Sequence, residues 1–322
     1  MKPFAFATAA AALVLAGCAT APEPSAPEAF NRQATLDIVQ ELSRDALFGR
    51  LPGTDGSEKA RQLIIARMSA AGLVPFGEGF EQAFTYGDFA DRETSAPSTP
   101  DKTGVNVVGK IEGRRDSGLT LVITAHYDHL GVKDGQIFNG ADDNASGVGG
   151  ILAIADYFAA NPPRHDMVFV AFDAEEQGFQ GARAFLNSPP IPESAMTFNL
   201  NLDMISRHEG GELWASGVRH TPALAPIVES VAETSPVPLN VGYDGTDADK
   251  DDWTGMTDSA VFFQRGIPHL YLGVEDHPDY HGPGDDFSKI KPEFYLGAVE
   301  TALMIAISLD ENLQTFAREE DR

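Results

Sequence analysis

The 322-residue sequence predicts an α/β fold: a single domain with a central mixed, mostly parallel β-sheet flanked by helices. Three observations carry this expectation. From residue 105 onward, apolar runs of strand length alternate with helical patterns, as in a largely parallel sheet covered on both faces. The run "MVFVAF" is apolar without interruption, as a strand buried on both faces would be. Finally, the chain shows no internal repeat and no second unit with its own beginning and end, and a hydrophobic content of 43% is enough for one substantial core.

Residues 1–17 place one lysine, Lys2, ahead of a short apolar stretch ending in small residues, the layout of a secretory signal peptide. The stretch is too short to span a bilayer comfortably. Residues 18–30 hold Cys18 and the Pro/Ala/Glu-rich "TAPEPSAPEA", which cannot bury a core and reads as an extended tether, ~3.1 Å per residue where polyproline II forms. The folded domain is expected over 31–322. Cys18 is the only cysteine, so no intramolecular disulfide can form. "LAGC" at Leu15–Cys18 resembles the bacterial lipoprotein signal, in which cleavage leaves the cysteine as the lipidated first residue. That resemblance implies an exported lipoprotein anchored in a membrane only through Cys18, and Ala19 behind it implies the outer membrane, facing the periplasm.

Within the domain, Leu36, Val39, Gln40 and Leu42 space a helix from Gln33. "GRLPGTDG" (49–56) is turn-rich and opens onto a second helix, "SEKARQLIIARMSAAGL", with Ser57 as cap and Gly72 as stop. The polar, Pro-containing run from Thr85 to Gly104 reads as a surface loop. Strands are expected over 105–113, 119–129, 166–176, 196–206, 211–217 and 267–273. Helices are expected over 145–160, 181–188, 222–234, 257–266 and 292–313.

The chemistry gathers at the strand ends. One strand runs into His126, Tyr127, Asp128 and His129; others run into Asp173, Glu175 and Glu176, into Asp203, and toward His281. Each has an ordinary explanation when taken alone: a hydrogen-bonded structural histidine, a solvated Glu-Glu turn, an aspartate capping a turn. Together they deliver imidazoles and carboxylates from four strands to one sheet edge, where open parallel sheets bind ligands. Adjacent Glu175 and Glu176 in a recess repel each other unless a cation is present. Carboxylate oxygens and imidazole nitrogens suit zinc, with cobalt or manganese as substitutes. An alternating strand end is expected to point the two glutamates in different directions. The Gly-rich "FNGADDNASGVGG" (138–150) allows close approach to a metal but lacks the Lys-Ser/Thr ending of a phosphate loop, which excludes nucleotide binding of that kind. A net charge of −25 argues against nucleic acid and against an anionic membrane surface as partners.

In order, "HYDH", "GADDNASGV", "DAEEQGFQGA", "NLDM" and "YHGPGDD" resemble the co-catalytic dizinc aminopeptidases, metallopeptidase family 28, from about Arg50 to the last helix. The resemblance implies two zinc ions, one on His126 and Asp203, the other on Glu176 and His281, with Asp143 bridging and Asp142 its neighbour. It makes Glu175 the general base, Asp128 the carboxylate that orients His126, and Tyr280 a donor to the tetrahedral intermediate. His129, His269 and His277 fall on no ligand position and are expected to be structural or at the rim. "TDSAVFF" has Ser259 where many members have His or Gln, which puts details of the substrate pocket in doubt. The implied activity is zinc-dependent removal of the first residue from peptides with a free N-terminus. Three alternatives stand beside it. A carboxypeptidase or dipeptidase of the same fold would need a cation for the substrate carboxylate, from Arg183, Arg207, Lys250 or Arg265. A glutaminyl cyclase would use one zinc on the same scaffold. A noncatalytic metal-binding surface lipoprotein would have no need of the intact base at Glu175.

Overall fold

The computed structural model describes residues 30–87, 101–245 and 250–317, together with Met1. The signal peptide, Cys18 and the tether to residue 29 lie outside the described residues. Helix α1 (Arg32–Leu42) begins where the Asn31 side chain accepts the Ala34 N–H. Helix α2 (Asp55–Ala71) starts two residues before Ser57, because the Thr54 hydroxyl accepts the Ser57 N–H: Ser57 is capped rather than capping. Gly72 does end it, in the left-handed region at φ 88°.

Strands β1 (Val74–Pro75) and β2 (Glu81–Tyr86) follow, then β3 (Lys102–Ile111). The loop expected from Thr85 to Gly104 is therefore shorter at both ends, and 88–100 lies outside the described residues. Strand β2 is an edge strand that pairs antiparallel with β3, so it needs no apolar run to be stable there. Next come β4 (Thr120–His126), β5 (Gly131–Lys133), β6 (Gln136–Phe138), a wide turn at Ala141–Ser146 and helix α3 (Gly147–Ala160). The remainder is β7 (Asp166–Phe172), α4 (Gln180–Asn187), β8 (Met196–Leu202), β9 (Leu213–Ser216), α5 (Ala225–Ala232), β10 (Leu239–Val241), α6 (Ser259–Gln264), β11 (His269–Gly273) and α7 (Pro292–Asn312).

Among the described residues, nine strands form one mixed sheet in the order β1-β3-β7-β4-β8-β11-β9-β10, with β2 also on β3. The central four, β7, β4, β8 and β11, are mutually parallel; β3 and β9 join them antiparallel. Side-chain alternation along β7 sends Met167, Phe169 and Ala171 into one core and Val168, Val170 and Phe172 into the other. The larger core packs under α1, α2, α3, α5 and α7, the smaller under α4 and α6. Each fully buried Phe or Val side chain contributes roughly 1.5–3 kcal/mol.

Strands β4, β7 and β8 stop three or four residues short of their expected ends, at His126, Phe172 and Leu202. The polar residues beyond those points leave the ladder. Because the four central strands are parallel, all these departures occur on the same edge.

Candidate active site

His126 is the last residue of β4 and is buried. Two residues on, the fully buried Asp128 accepts the Glu175 N–H at 3.0 Å and the Glu176 N–H at 3.3 Å. The two glutamates do not lie on a strand. They occupy a turn after β7, entered through Ala174 in the left-handed region (φ 57°), and this turn rather than strand alternation separates their side chains. Asp128 thus holds the backbone of both glutamates. Its own carbonyl lies 3.2 Å from His126 Nδ1, closer than its carboxylate at 3.7 Å, so it orients His126 mainly through the main chain.

Two clusters result. His126 Nε2 lies 3.3 Å from both Asp143 Oδ1 and Asp203 Oδ1, with Glu175 Oε2 at 4.0 Å. On the other side of Asp143, His281 Nε2 is 3.2 Å from Asp143 Oδ2 and 3.2 Å from Glu176 Oε2. Asp143 therefore faces an imidazole with each of its oxygens. Asp142 turns away: its Oδ1 accepts from the Ser206 N–H and hydroxyl, both at 2.7 Å, and its Oδ2 is 3.3 Å from His277 Nε2. The second oxygen of Asp203 accepts from the Thr257 hydroxyl at 2.7 Å, leaving Oδ1 toward His126.

Whether these donors fit metal ions can be tested on the orphaned atoms. Asp143 Oδ2, Glu176 Oε1 and both ring nitrogens of His129 are buried without a directed hydrogen-bond partner. Unpaired buried groups of this kind are rare and ask for a reason. Converging imidazole and carboxylate lone pairs supply one, since divalent cations would satisfy them together, and the nitrogen/oxygen donor set is that of a two-zinc centre.

In the metal-free chain, protonation follows charge. Burial opposes ionisation of Asp143, but His129, His126 and His281 hold its carboxyl well below the usual range. Burial pushes Glu175 well above that range, His126 opposes the shift, and the charges of Asp258, Asp203 and Glu176 add to it. His281 loses from burial but gains more from Asp143 and Glu176, reaching about 10. The Tyr280 ring stacks on His281 at 4.0 Å, and burial first, then Asp143 and Asp203, raise its phenol so that it stays neutral.

Several contributors were not evident in the sequence. Arg50, expected only as part of a turn, is fully buried beneath the site. Its guanidinium donates to the carbonyls of Leu42, Tyr127, Asn139 and Gly140, tying the loops that follow β4 and β6 to the end of α1. Three left-handed residues in a row, Phe48, Gly49 and Arg50, bring it there; only the glycine signals this in sequence. Asp285 accepts the N–H groups of Asp142 and Asp143 and so shapes the loop that carries Asp143. Gly140, at φ 54°, lets that loop turn where a Cβ would lie 2.1 Å from the Asp143 carbonyl oxygen. Of the three histidines expected to be structural or at the rim, His269 is buried away from the site beside Phe263, and His277 pairs with Asp142. His129 is not at the rim; it is fully buried, with Nδ1 2.8 Å from Glu176 Oε1.

A cavity of about 250 Å³ opens over both clusters. Its apolar wall is Phe179, Met204, Trp253, Met256, Tyr271 and Val274, and Asp276 and Tyr280 line the side near His281.

The family model of peptidase family M28 matches residues 106–306. Aminopeptidase YwaD of Bacillus subtilis is 26% identical over 203 residues, covering 60% of this chain and 42% of that protein. The chain spans under half the length of the curated relatives it matches, such as this one. In fold it resembles BSAP, a zinc aminopeptidase from Bacillus subtilis (TM-score 0.66, 18% identity, 85% of this chain and 94% of that one). It also resembles Porphyromonas gingivalis glutaminyl cyclase (TM-score 0.68, 20% identity, 88% and 99%). The matched segment contains every imidazole and carboxylate of both clusters, from His126 to His281, and the chain belongs to peptidase family M28.

Proposed function

We propose that the protein is a zinc-dependent aminopeptidase that removes the first residue, preferably an apolar one, from peptides with a free N-terminus. The observation that carries this reading is the charge of the cavity: among the described residues no lysine or arginine lines it, whereas Asp143, Glu175, Glu176, Asp203 and Asp276 do. A carboxypeptidase or dipeptidase needs a cation for the substrate carboxylate. The sequence's candidates are engaged elsewhere: Arg207 with Asp279, Arg265 with Glu193, Arg183 with the Gly178 carbonyl, and Lys250 over the Trp214 ring. With Asp143, Glu176 and Asp203 engaged by the metal ions and Glu175 kept for proton transfer, Asp276 is the lining carboxylate left to face an α-ammonium group.

Held by His126, Asp143, Asp203, Glu176 and His281, two zinc ions would polarise the scissile carbonyl and bring the pKa of the attacking water toward ~7. Glu175, whose carboxylate reaches to 4.0 Å from His126 Nε2 at the edge of the first cluster, would take the proton from that water and pass it to the departing amine. The neutral Tyr280 phenol donates to the developing oxyanion. Phe179, Met204, Trp253 and Met256 enclose the first side chain and exclude water from it. Asp128, through the two glutamate N–H groups, keeps Glu175 and Glu176 in separate roles. The cleaved leader and a lipid anchor at Cys18 in the outer membrane belong to the same proposal, on the strength of "LAGC".

The test is a panel of free and N-blocked peptides, with chelator and after zinc is restored. Release of an apolar first residue from free peptides alone, lost with chelator and regained with zinc, is the expected result. Cleavage of N-blocked peptides at a free C-terminus would replace the reading with a carboxypeptidase. Pyroglutamate formation from N-terminal glutamine without hydrolysis would replace it with a cyclase.

A further inference from the structure

We propose that His129 is a ligand of the second metal ion through Nδ1, so that this centre is held by Asp143, Glu176, His281 and His129 while the first has His126, Asp143 and Asp203. The inference rests on the two-zinc reading of the site but not on which peptide bond is cleaved.

His129 lies three residues beyond the end of β4 and is fully buried, yet neither ring nitrogen has a directed hydrogen-bond partner. Nδ1 stands 2.8 Å from Glu176 Oε1 and 3.7 Å from Asp143 Oδ2, and both of those oxygens are themselves buried and unpartnered. The 2.8 Å approach has the length of a hydrogen bond, and in the metal-free chain, against the opposing effect of burial, His129 helps hold the Glu176 carboxyl below its usual range. Nδ1 is nevertheless not aimed at Oε1 as an aligned donor would be. Three lone-pair-bearing atoms that approach closely without pointing at each other have the relation of ligands around a common ion. Two ligands each ~2.0–2.2 Å from one zinc ion lie at most about 4.3 Å apart, and both separations fall inside that limit. His281 approaches from the other side, with Nε2 3.2 Å from Glu176 Oε2 and from Asp143 Oδ2, and the two imidazole centroids are 6.0 Å apart. Glu176 thus presents one oxygen to each ring. Room for the His129 ring depends on Gly140, where a Cβ would come within 2.6 Å of it.

The two centres then differ in donor type. The second has two imidazoles where the first has one, so it holds zinc more tightly and fills first.

X-ray absorption on the full zinc-loaded protein counts the imidazoles directly, and a competition titration with a chromophoric chelator measures each site's affinity. Wild type should show three imidazoles shared by two zinc ions, and His129→Ala should show two. The tighter site should lose more than the roughly 10–100-fold typical of removing a group that only supports a ligand. His129→Asn, which keeps a polar side chain beside Glu176, should lose the same imidazole. Two imidazoles in wild type, unchanged in either variant, would overturn the proposal and leave His129 as a hydrogen-bond donor to Glu176. The wild-type count stands even if a variant fails to fold.

Discussion

Replacing Glu175 by Gln separates proton transfer from metal binding, because the amide keeps the side chain's size and removes only its basic oxygen. The structure makes the choice a real one. Glu175 Oε2 is 4.0 Å from His126 Nε2, against 3.3 Å for the nearest oxygens of Asp143 and Asp203, and it is close enough to group with His126 and Asp203 as a conceivable ligand. If Glu175 carries the proton, Glu175→Gln keeps both zinc ions and loses roughly 10²–10⁴ in kcat, or about 2.7–5.5 kcal/mol of transition-state stabilisation. A second consequence appears in the metal-free chain. Burial, reinforced by Asp258, Asp203 and Glu176 against the opposing pull of His126, raises the Glu175 pKa on folding. Its contribution to stability is therefore complete below the ordinary carboxylate range and is lost as pH rises through the folded value. The chelated variant, having no carboxyl to ionise, should melt above the chelated wild type at pH 8, with the gap narrowing toward pH 4. Steady-state kinetics, elemental analysis and chelated melts at the two pH values decide the matter. Near-normal turnover with both metals bound, or loss of zinc from the variant, would refute the assignment of Glu175 as base.

Arg50→Met should destabilise the fold by at least about 4 kcal/mol, a fall of roughly 10 °C in Tm, because four carbonyls lose a charged donor in a buried site. Arg50→Lys should recover little, since one ammonium cannot span the loops that the planar guanidinium bridges; a Lys variant that melts with wild type would show that the guanidinium's shape is irrelevant. Cys18→Ser should abolish incorporation of labelled lipid and release the chain from the membrane fraction, and unchanged membrane association would remove the anchor from the proposal.

Much of the site was legible because its signals are local. Strands buried on both faces announce themselves by continuous apolar runs, and the first polar residue after each run marks where the chain leaves the sheet. Asp173 stands at such a point, whereas β4 carries Thr124 before His126 and β8 carries Thr197, Asn199 and Asn201 before Asp203. The parallel order that places those exits on one edge follows from the alternation of strand and helix. Short pairings left a weaker trace. Strands β1 and β2 gain stability from β3 rather than from their own composition. The β5–β6 hairpin has an Asp134-Gly135 turn but only three residues on each side of it.

What composition, pattern and motif order determined by themselves was the fold class, the edge of the sheet where ligands bind and the kind of donor gathered there. The motif order also named Asp143 as bridge and Glu175 as base by resemblance; what only the tertiary structure supplied is how each of these side chains is held. Asp142 and Asp143 are chemically identical neighbours, and the difference between them comes from Ser206, 64 positions away, which engages one carboxylate and leaves the other to the imidazoles. Glu175 and Glu176 diverge because Asp128 grips the backbone of a turn, not because a strand alternates. His129 is buried against Glu176, and Arg50 lies beneath both loops, through contacts that no local pattern encodes. The physical reason is common to all four. Secondary structure is set by neighbours along the chain, whereas the direction of a buried polar side chain is set by the partners that satisfy it, and those partners meet only after folding.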